Sequence, residues 1–249
     1  FFKVSLFYYV NRKKLIRNIH EAFSVHDIPF FVAKGVEAAQ YYPVPGLRTM
    51  GDTDLIVHVQ DRERATKVLA DLGFAYDHEY TGKELVYTYN RMEFELHYDL
   101  IYDETVTIPE HQAFFNNCWD YVRDGTLDHN FHFLYLISHL RKHLMNKGVG
   151  FRQFMDIAVA VRNDDTLNWP WIEEKLDELH LKRFASVCFA LIDRWFGVLS
   201  PIQTAMLEDA FIERATIRIF TDGVFGFENK DNEIAYISNE LRGFRGPRW

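Results

Sequence analysis

Arg48-Thr49-Met50-Gly51-Asp52-Thr53-Asp54-Leu55-Ile56-Val57, read together with the earlier pair Lys34-Gly35, decides the fold of this chain. Pro29 to Ala33 is short and uniformly apolar, which predicts a buried strand, and Gly35 marks its end. Val36 to Tyr42 predicts a two-turn helix, stopped by Pro43-Val44-Pro45-Gly46. Thr53 to Val59 then reads as a second apolar strand, opened by two aspartates. Strand side chains alternate, so Asp52 and Asp54 share a face. Carboxylates so placed repel unless something positive lies between them, and hard oxygen ligands of this kind suit magnesium with bound phosphates. A helix starting just after Gly35 offers free backbone N–H groups to an anion, a weak signal on its own.

On the N-terminal side, Val4 to Val25 has helical periodicity, with Ile16, Ile19 and Phe23 on one face and Arg12, Lys13, Lys14 and Arg17 on others; Asp27 and Pro29 end it. On the C-terminal side, Asp61 is placed to cap a helix through Leu72 whose inner face is Ala65, Val68, Leu69 and Leu72. Phe74 to Tyr80, Glu84 to Tyr89 and Met92 to Leu100 predict three more strands. The last alternates cleanly, with Phe94, Leu96 and Tyr98 on one side and Glu93, Glu95, His97 and Asp99 on the other. A strand with four ionisable groups on one side faces water or lines a site.

Beyond about Ile101 the β signals stop and helical patterns take over: 130–147, 151–162, 171–179, 183–196 and 201–220, then an irregular tail with a short helix near 232–241. The expectation is an α+β fold, a small mixed β-sheet with flanking helices over residues 1–105 (leading helix 1–27), followed by an all-α helical domain over 106–249. In the first of the later helices Phe133, Ile137, Leu140 and Leu144 form a core stripe, with His132, Tyr135, His139, Lys142 and Asn146 on a polar one.

Composition is that of an ordinary globular protein, 48% hydrophobic and 26% charged, with 22 Phe for an aromatic core. The net charge of -8 argues against non-specific nucleic-acid binding. Cys118 and Cys188 stand outside any motif and read as buried reduced thiols of a cytoplasmic protein. No apolar run approaches the ~18 residues of a membrane span, and no signal-peptide pattern opens the chain. It begins at Phe1 instead of Met, which suggests preceding residues.

Lys34-Gly35 through Tyr41-Tyr42-Pro43, Gly46-Leu47-Arg48, Met50 to Val57, Glu95-Leu96-His97 and Arg152-Gln153-Phe154-Met155-Asp156-Ile157-Ala158 together resemble a bacterial family of uncharacterised nucleotidyltransferases, within the superfamily related to DNA polymerase β. The resemblance spans roughly residues 15–165 and implies that Asp52, Asp54 and Glu95 bind Mg2+ or Mn2+ and the triphosphate of an NTP, most simply ATP, as catalytic and metal-binding residues. Glu95 is then the candidate base or electrostatic activator for the acceptor hydroxyl. Where most of that superfamily has Gly-Ser, this chain has Lys34-Gly35, so phosphate contacts fall to backbone amides near Gly35, to Lys34 or to Arg48. Lys34 also reads as a strand-end lysine reaching for solvent, and Arg48 as a charge partner for the acids; His97 is expected to position Glu95 by a hydrogen bond.

His139 and His143 lie four apart on one helix, but no glutamate follows the first and no third ligand is evident, so zinc is the lesser reading. The alternative is a basic face with Arg141 and Lys142, near a domain boundary, meeting Asp156 or substrate phosphates; Asp156 reads as an ion-pair partner, for instance of Arg152. The implied reaction is transfer of a nucleoside monophosphate to a small-molecule or protein acceptor with release of pyrophosphate. Two alternatives share the fold: a nucleotide-binding pseudoenzyme, and an interaction protein of the toxin–antitoxin type.

Overall fold

The computed structural model describes residues 2–80, 84–100, 109–146, 150–204 and 207–221. The expected helix near 232–241 lies outside them. The chain divides into two compact units, Phe1–His132 and Phe133–Trp249.

The first unit is built on a five-stranded mixed sheet. Helix α1 (Phe2–Val25) precedes strand β1 (Phe30–Val32), a single-turn α2 (Val36–Ala39), β2 (Asp54–Val57), α3 (Arg62–Asp71) and the strands β3 (Ala75–Tyr80), β4 (Glu84–Tyr89) and β5 (Met92–His97). The spatial order is β1-β2-β5-β4-β3. β2 and β5 run parallel and every other pair is antiparallel. The register sets Asp54 opposite Glu95, Leu55 opposite Leu96 and Ile56 opposite His97.

One face of the sheet carries the core. Leu15, Ile19 and Phe23 of α1 and Ala65, Val68 and Leu69 of α3 pack on Phe30, Val32, Leu55, Val57, Leu85, Tyr87, Phe94 and Leu96. These sheet residues alternate in sequence, so Asp54, Glu84, Glu95 and His97 are left on the opposite face, as period 2 requires. Asp27, with φ 50°, closes α1, and the Ile28 N–H returns to the Phe23 carbonyl at 2.9 Å. Asp61 does stand at the N-cap of α3, but its side chain makes no cap hydrogen bond; it pairs with Arg64 in the first turn instead.

Two parts of the sequence reading are corrected here. The β signal does not end at Ile101: after α4 (Pro109–Asn116), strands β6 (Val122–Arg123) and β7 (Thr126–Leu127) form a two-residue hairpin. And α2 is one turn, not two, because the chain turns off at Gln40.

The helix α5 (His129–Asn146) spans the division between the units. The second unit holds the rest of it with α6 (Phe151–Asn163), α7 (Trp169–Glu178), α8 (Lys182–Phe196) and α9 (Asp209–Thr221). α9 begins at Asp209, not Pro201; after the proline the Ser200 hydroxyl donates to the Ile202 carbonyl at 2.8 Å and holds a turn. The expected apolar stripe of α5 is buried at Phe133, Ile137 and Leu140, but His132 and Tyr135, read as polar-face residues, are buried as well. Both cysteines are buried and unbridged. Among the described residues no helix is long and apolar enough to cross a membrane.

Candidate active site

The parallel pairing of β2 with β5 brings a largely buried polar cluster together on the face of the sheet opposite α1 and α3. Asp54, Glu95 and His97 each offer one ligand atom, and these atoms lie within 4.8 Å of one another. The ladder continues one residue before β2: the Thr53 N–H donates to the Glu93 carbonyl at 3.1 Å, and the Glu95 N–H donates to the Thr53 carbonyl at 2.9 Å. That pairing fixes the level of Glu95 against Asp54.

Asp54 is buried and meets two cations. Lys34 Nζ lies 2.8 Å from its Oδ1, and His97 Nε2 lies 3.2 Å from the same oxygen. Lys34 arrives there because the antiparallel register of β1 with β2 carries through the Ala33 N–H, which donates to the Asp54 carbonyl at 3.1 Å. The second oxygen, Oδ2, is buried and has no hydrogen-bond partner among the described residues. His97 Nε2 also lies 3.0 Å from Glu95 Oε2, while its Nδ1 faces Glu84 Oε2 at 3.7 Å.

The charges follow from this geometry. Burial works against an ionised Asp54, yet the Lys34 charge and the His97 hydrogen bond outweigh it and hold the carboxyl below the ordinary range. Burial would lower the pKa of His97, but hydrogen bonds to Asp54 and Glu95 push it up to about 9. Glu95 is raised, first by burial, although its hydrogen bond with His97 works the other way, and then by the nearby charges of Asp54 and Asp52. A raised carboxyl beside an ionised one is the arrangement from which acid–base roles are drawn.

Of the three acids expected to act together, the structure brings Asp54 and Glu95 into the cluster. Asp52 precedes β2 and lies outside the group of converging ligand atoms, near enough for its charge to act on Glu95. Gly35 caps α2 at φ 66° and ψ -97°, and a Cβ there would stand 3.3 Å from the Asp52 carbonyl. Only glycine takes that conformation without strain, and it lets the two loops approach. With α2 a single turn carrying Glu37, the expected anion seat is reduced to the few amides after Gly35. Arg48 is buried, and its charge acts on a second buried arginine, Arg12.

Arg12 escaped the sequence reading, which placed it with Lys13, Lys14 and Arg17 on faces of α1 other than that of Ile16, Ile19 and Phe23. It is 3% exposed, donates from Nη1 to the Asp52 carbonyl at 2.6 Å and from Nη2 to the Gly51 carbonyl at 2.7 Å, and lies 5.9 Å from the ring centre of Phe94. A signal was present: 12, 15, 19 and 23 fall at helical spacing, so Arg12 continues the stripe of Leu15, Ile19 and Phe23. In the second unit His139 and His143 share a hydrogen bond, Nε2 to Nε2 at 2.7 Å, and no third metal ligand joins them among the described residues. Asp156 is buried on α6.

The donor set tests whether a divalent ion fits. Two carboxylates meet across one ladder step, and Asp54 Oδ2 is a buried anionic oxygen without a donor, which is what a hard cation requires. The residues present fit such an ion, with His97 and Lys34 supplying positive charge at the other oxygen.

A likeness is found in two solved structures, the solution structure of the antibiotic-resistance factor ANT(2'')-Ia and a crystal structure of ANT(2")-Ia in complex with adenylyl-2"-tobramycin. The first is 12% identical with a TM-score of 0.47, covering 72% of this chain and 95% of that one. The second is 13% identical with a TM-score of 0.48, covering 68% and 97%. No curated protein matches the chain. A family profile described as uncharacterised nucleotidyltransferase matches residues 11–197, which is most of the sequence and contains every residue of the cluster. The chain belongs to this family of uncharacterised nucleotidyltransferases.

Proposed function

We propose that the protein transfers a nucleoside monophosphate from an NTP, most simply ATP, to a nucleophile on a small-molecule or protein acceptor, using a divalent ion held by Asp54, Glu95 and Asp52. The observation that carries this reading is the pairing of Asp54 with Glu95 across β2 and β5, with Asp54 Oδ2 buried and unsatisfied. A bound Mg2+ or Mn2+ supplies charge neutralisation at the phosphates.

The protein's own residues then act by position and charge. The acceptor oxygen bonds to the α-phosphorus, the bond from that phosphorus to the bridging oxygen breaks, and pyrophosphate leaves with the electron pair. The acceptor proton passes to Glu95, whose carboxyl is made more basic than an ordinary glutamate first by burial. Lys34 and His97 keep Asp54 ionised and oriented through Oδ1. Lys34 and Arg48 are the cations nearest to the role that a phosphate-binding serine would fill, and the amides after Gly35 complete the seat. The rate gain is one of positioning and electrostatics, with no covalent enzyme intermediate.

A screen of the four NTPs with Mg2+ or Mn2+, read by thermal stabilisation and then by pyrophosphate release with metabolite extracts, tests the reading. Asp54→Asn is expected to abolish metal-dependent NTP stabilisation and turnover, and normal turnover by that variant sinks the assignment. One observation favours a second reading. Lys34 and His97 already offset the charge of Asp54, which supports a protein that binds nucleotide without turning it over; NTP-dependent stabilisation with no pyrophosphate from any extract would select it.

A further inference from the structure

Asp52 differs from the other proposed metal-holding acids in how it is held. Asp54 and Glu95 stand in paired strands, whereas Asp52 lies ahead of the first ladder bond, which is made by Thr53. Gly51 beside it is exposed, and a Cβ there would meet nothing within 4 Å. The sheet therefore reaches Asp52 from one side only: the Thr53 N–H, in the peptide unit after Asp52, is held by the Glu93 carbonyl at 3.1 Å.

Arg12 reaches both sides. A peptide unit is planar, so the two units flanking Asp52 act as plates hinged at its Cα. The Gly51 carbonyl belongs to the plate before Asp52 and the Asp52 carbonyl to the plate after it. Arg12 binds both, at 2.7 and 2.6 Å, and together with the Thr53 ladder bond it restrains the φ and ψ of Asp52 and with them the direction of its Cβ. The Asp52 carbonyl is confined from a second side by Gly35, where a Cβ would stand 3.3 Å away. Arg12 is itself anchored, buried in line with the core stripe of α1 and set against Phe94 on β5, one residue from Glu95. The planar fork of a guanidinium matches two neighbouring carbonyls, which a single ammonium cannot do in one fixed geometry.

The same helix holds the other end of this loop. A Cβ on Gly46 would come within 2.6 Å of Leu6 Cδ1, so α1 packs directly on the backbone of the short 3-10 turn Pro45–Leu47 that precedes Arg48. Contacts at both ends make α1 the backing of the whole segment from Pro45 to Asp52.

We propose that Arg12 is a positioning residue for the metal site, acting through the backbone of Gly51 and Asp52 to hold the Asp52 carboxylate at the edge of the Asp54 and Glu95 cluster. This rests on the reading of Asp52 and Asp54 as metal-holding acids.

The test is a double-mutant cycle on the full chain, with Mn2+ affinity read from the electron paramagnetic resonance signal of free Mn2+ and folding checked by circular dichroism and melting. Arg12→Met and Arg12→Lys are each expected to weaken Mn2+ binding about ten-fold, the loss typical of groups that orient metal ligands. In an Asp52→Asn background the same changes are expected to add nothing, because their effect passes through Asp52. Wild-type affinity in folded Arg12 variants, or losses that multiply in the Asp52→Asn background, would overturn the proposal. Should Arg12→Met not fold, Arg12→Lys, which keeps a buried cation and its stem, carries the cycle. Asp54→Asn distinguishes the two levels: if it retains wild-type Mn2+ affinity, the metal reading fails, whereas if it loses Mn2+ while the Arg12 variants do not, only the positioning role fails.

Discussion

At the scale of single residues, the cluster is a balance of charges that exists before any ligand arrives. Asp54 carries two cationic neighbours on one oxygen and none on the other, so it is both neutralised and open. Lys34 thus stands in part where a metal's charge would act. Lys34→Met is expected to lower the stability of the metal-free protein by about 1–3 kcal/mol, the scale of a lost hydrogen bond to a charged group. Mg2+ is then expected to raise the melting temperature of the variant more than that of the wild type, since the ion restores charge that the lysine no longer supplies. Equal Mg2+ shifts in the two proteins would remove Lys34 from this role. Within each strand the acids and His97 were legible from alternation, Asp52 with Asp54 and Glu95 with His97; the pairing of β2 with β5 joins Asp54 to the second pair. Arg12 was not legible, because a charged residue at helical spacing is ordinarily assigned to the solvent side, and nothing local announces two carbonyls about 40 positions away.

At the scale of elements, the junctions do the positioning. The turn at Gly35 joins β1 to α2 with φ 66° and ψ -97°, beside the Asp52 carbonyl. Gly35→Ala is expected to destabilise the protein by about 1–3 kcal/mol, the cost of a side chain held in such a backbone conformation. It should also weaken NTP binding; urea unfolding and NTP-dependent melting check the two effects, and an unaltered urea midpoint would show that the turn relaxes without strain. The strands and most helices were readable from periodicity. The hairpin β6–β7 was not, since strands of two residues have no period to read, and its formation depends on pairing with each other. The start of α9 at Asp209 was not readable either; around Pro201 the Ser200 hydroxyl donates to the Ile202 carbonyl and holds a turn.

At the scale of the whole molecule, the core that α1 and α3 build on the sheet lies on the face opposite the charged cluster, so loss of a bound ion is expected to leave that core folded. Aromatic and aliphatic burial between α1, α3 and the sheet does not involve the cluster. Adding EDTA to protein loaded with Mg2+ and NTP is expected to abolish the ligand-dependent rise in melting temperature and to return the protein to the folded metal-free state, in which Lys34 and His97 offset the acids. Loss of near-ultraviolet circular dichroism on chelation would contradict that expectation, because it would make the ion part of the fold. The net charge of -8 belongs to this scale too. It disfavours polyanions as a class, and on the proposed function the recognition of a single triphosphate would fall to local cations such as Lys34 and Arg48.

The sequence by itself determined the α+β organisation, most of the strands and helices, which residues of each strand share a side, and, through its motifs, the resemblance to the family. These follow from periods of 2 and 3.6 and from motif spacing, which are local properties of the chain. Only the tertiary structure decided that β2 and β5 pair in parallel, that Lys34 and His97 meet on one oxygen of Asp54, and that Arg12 reaches back from α1 to restrain the peptide units around Asp52. Each of these depends on strand register and helix packing, where the nearest partner in space is far away in sequence and the choice among partners is made by the buried core as a whole.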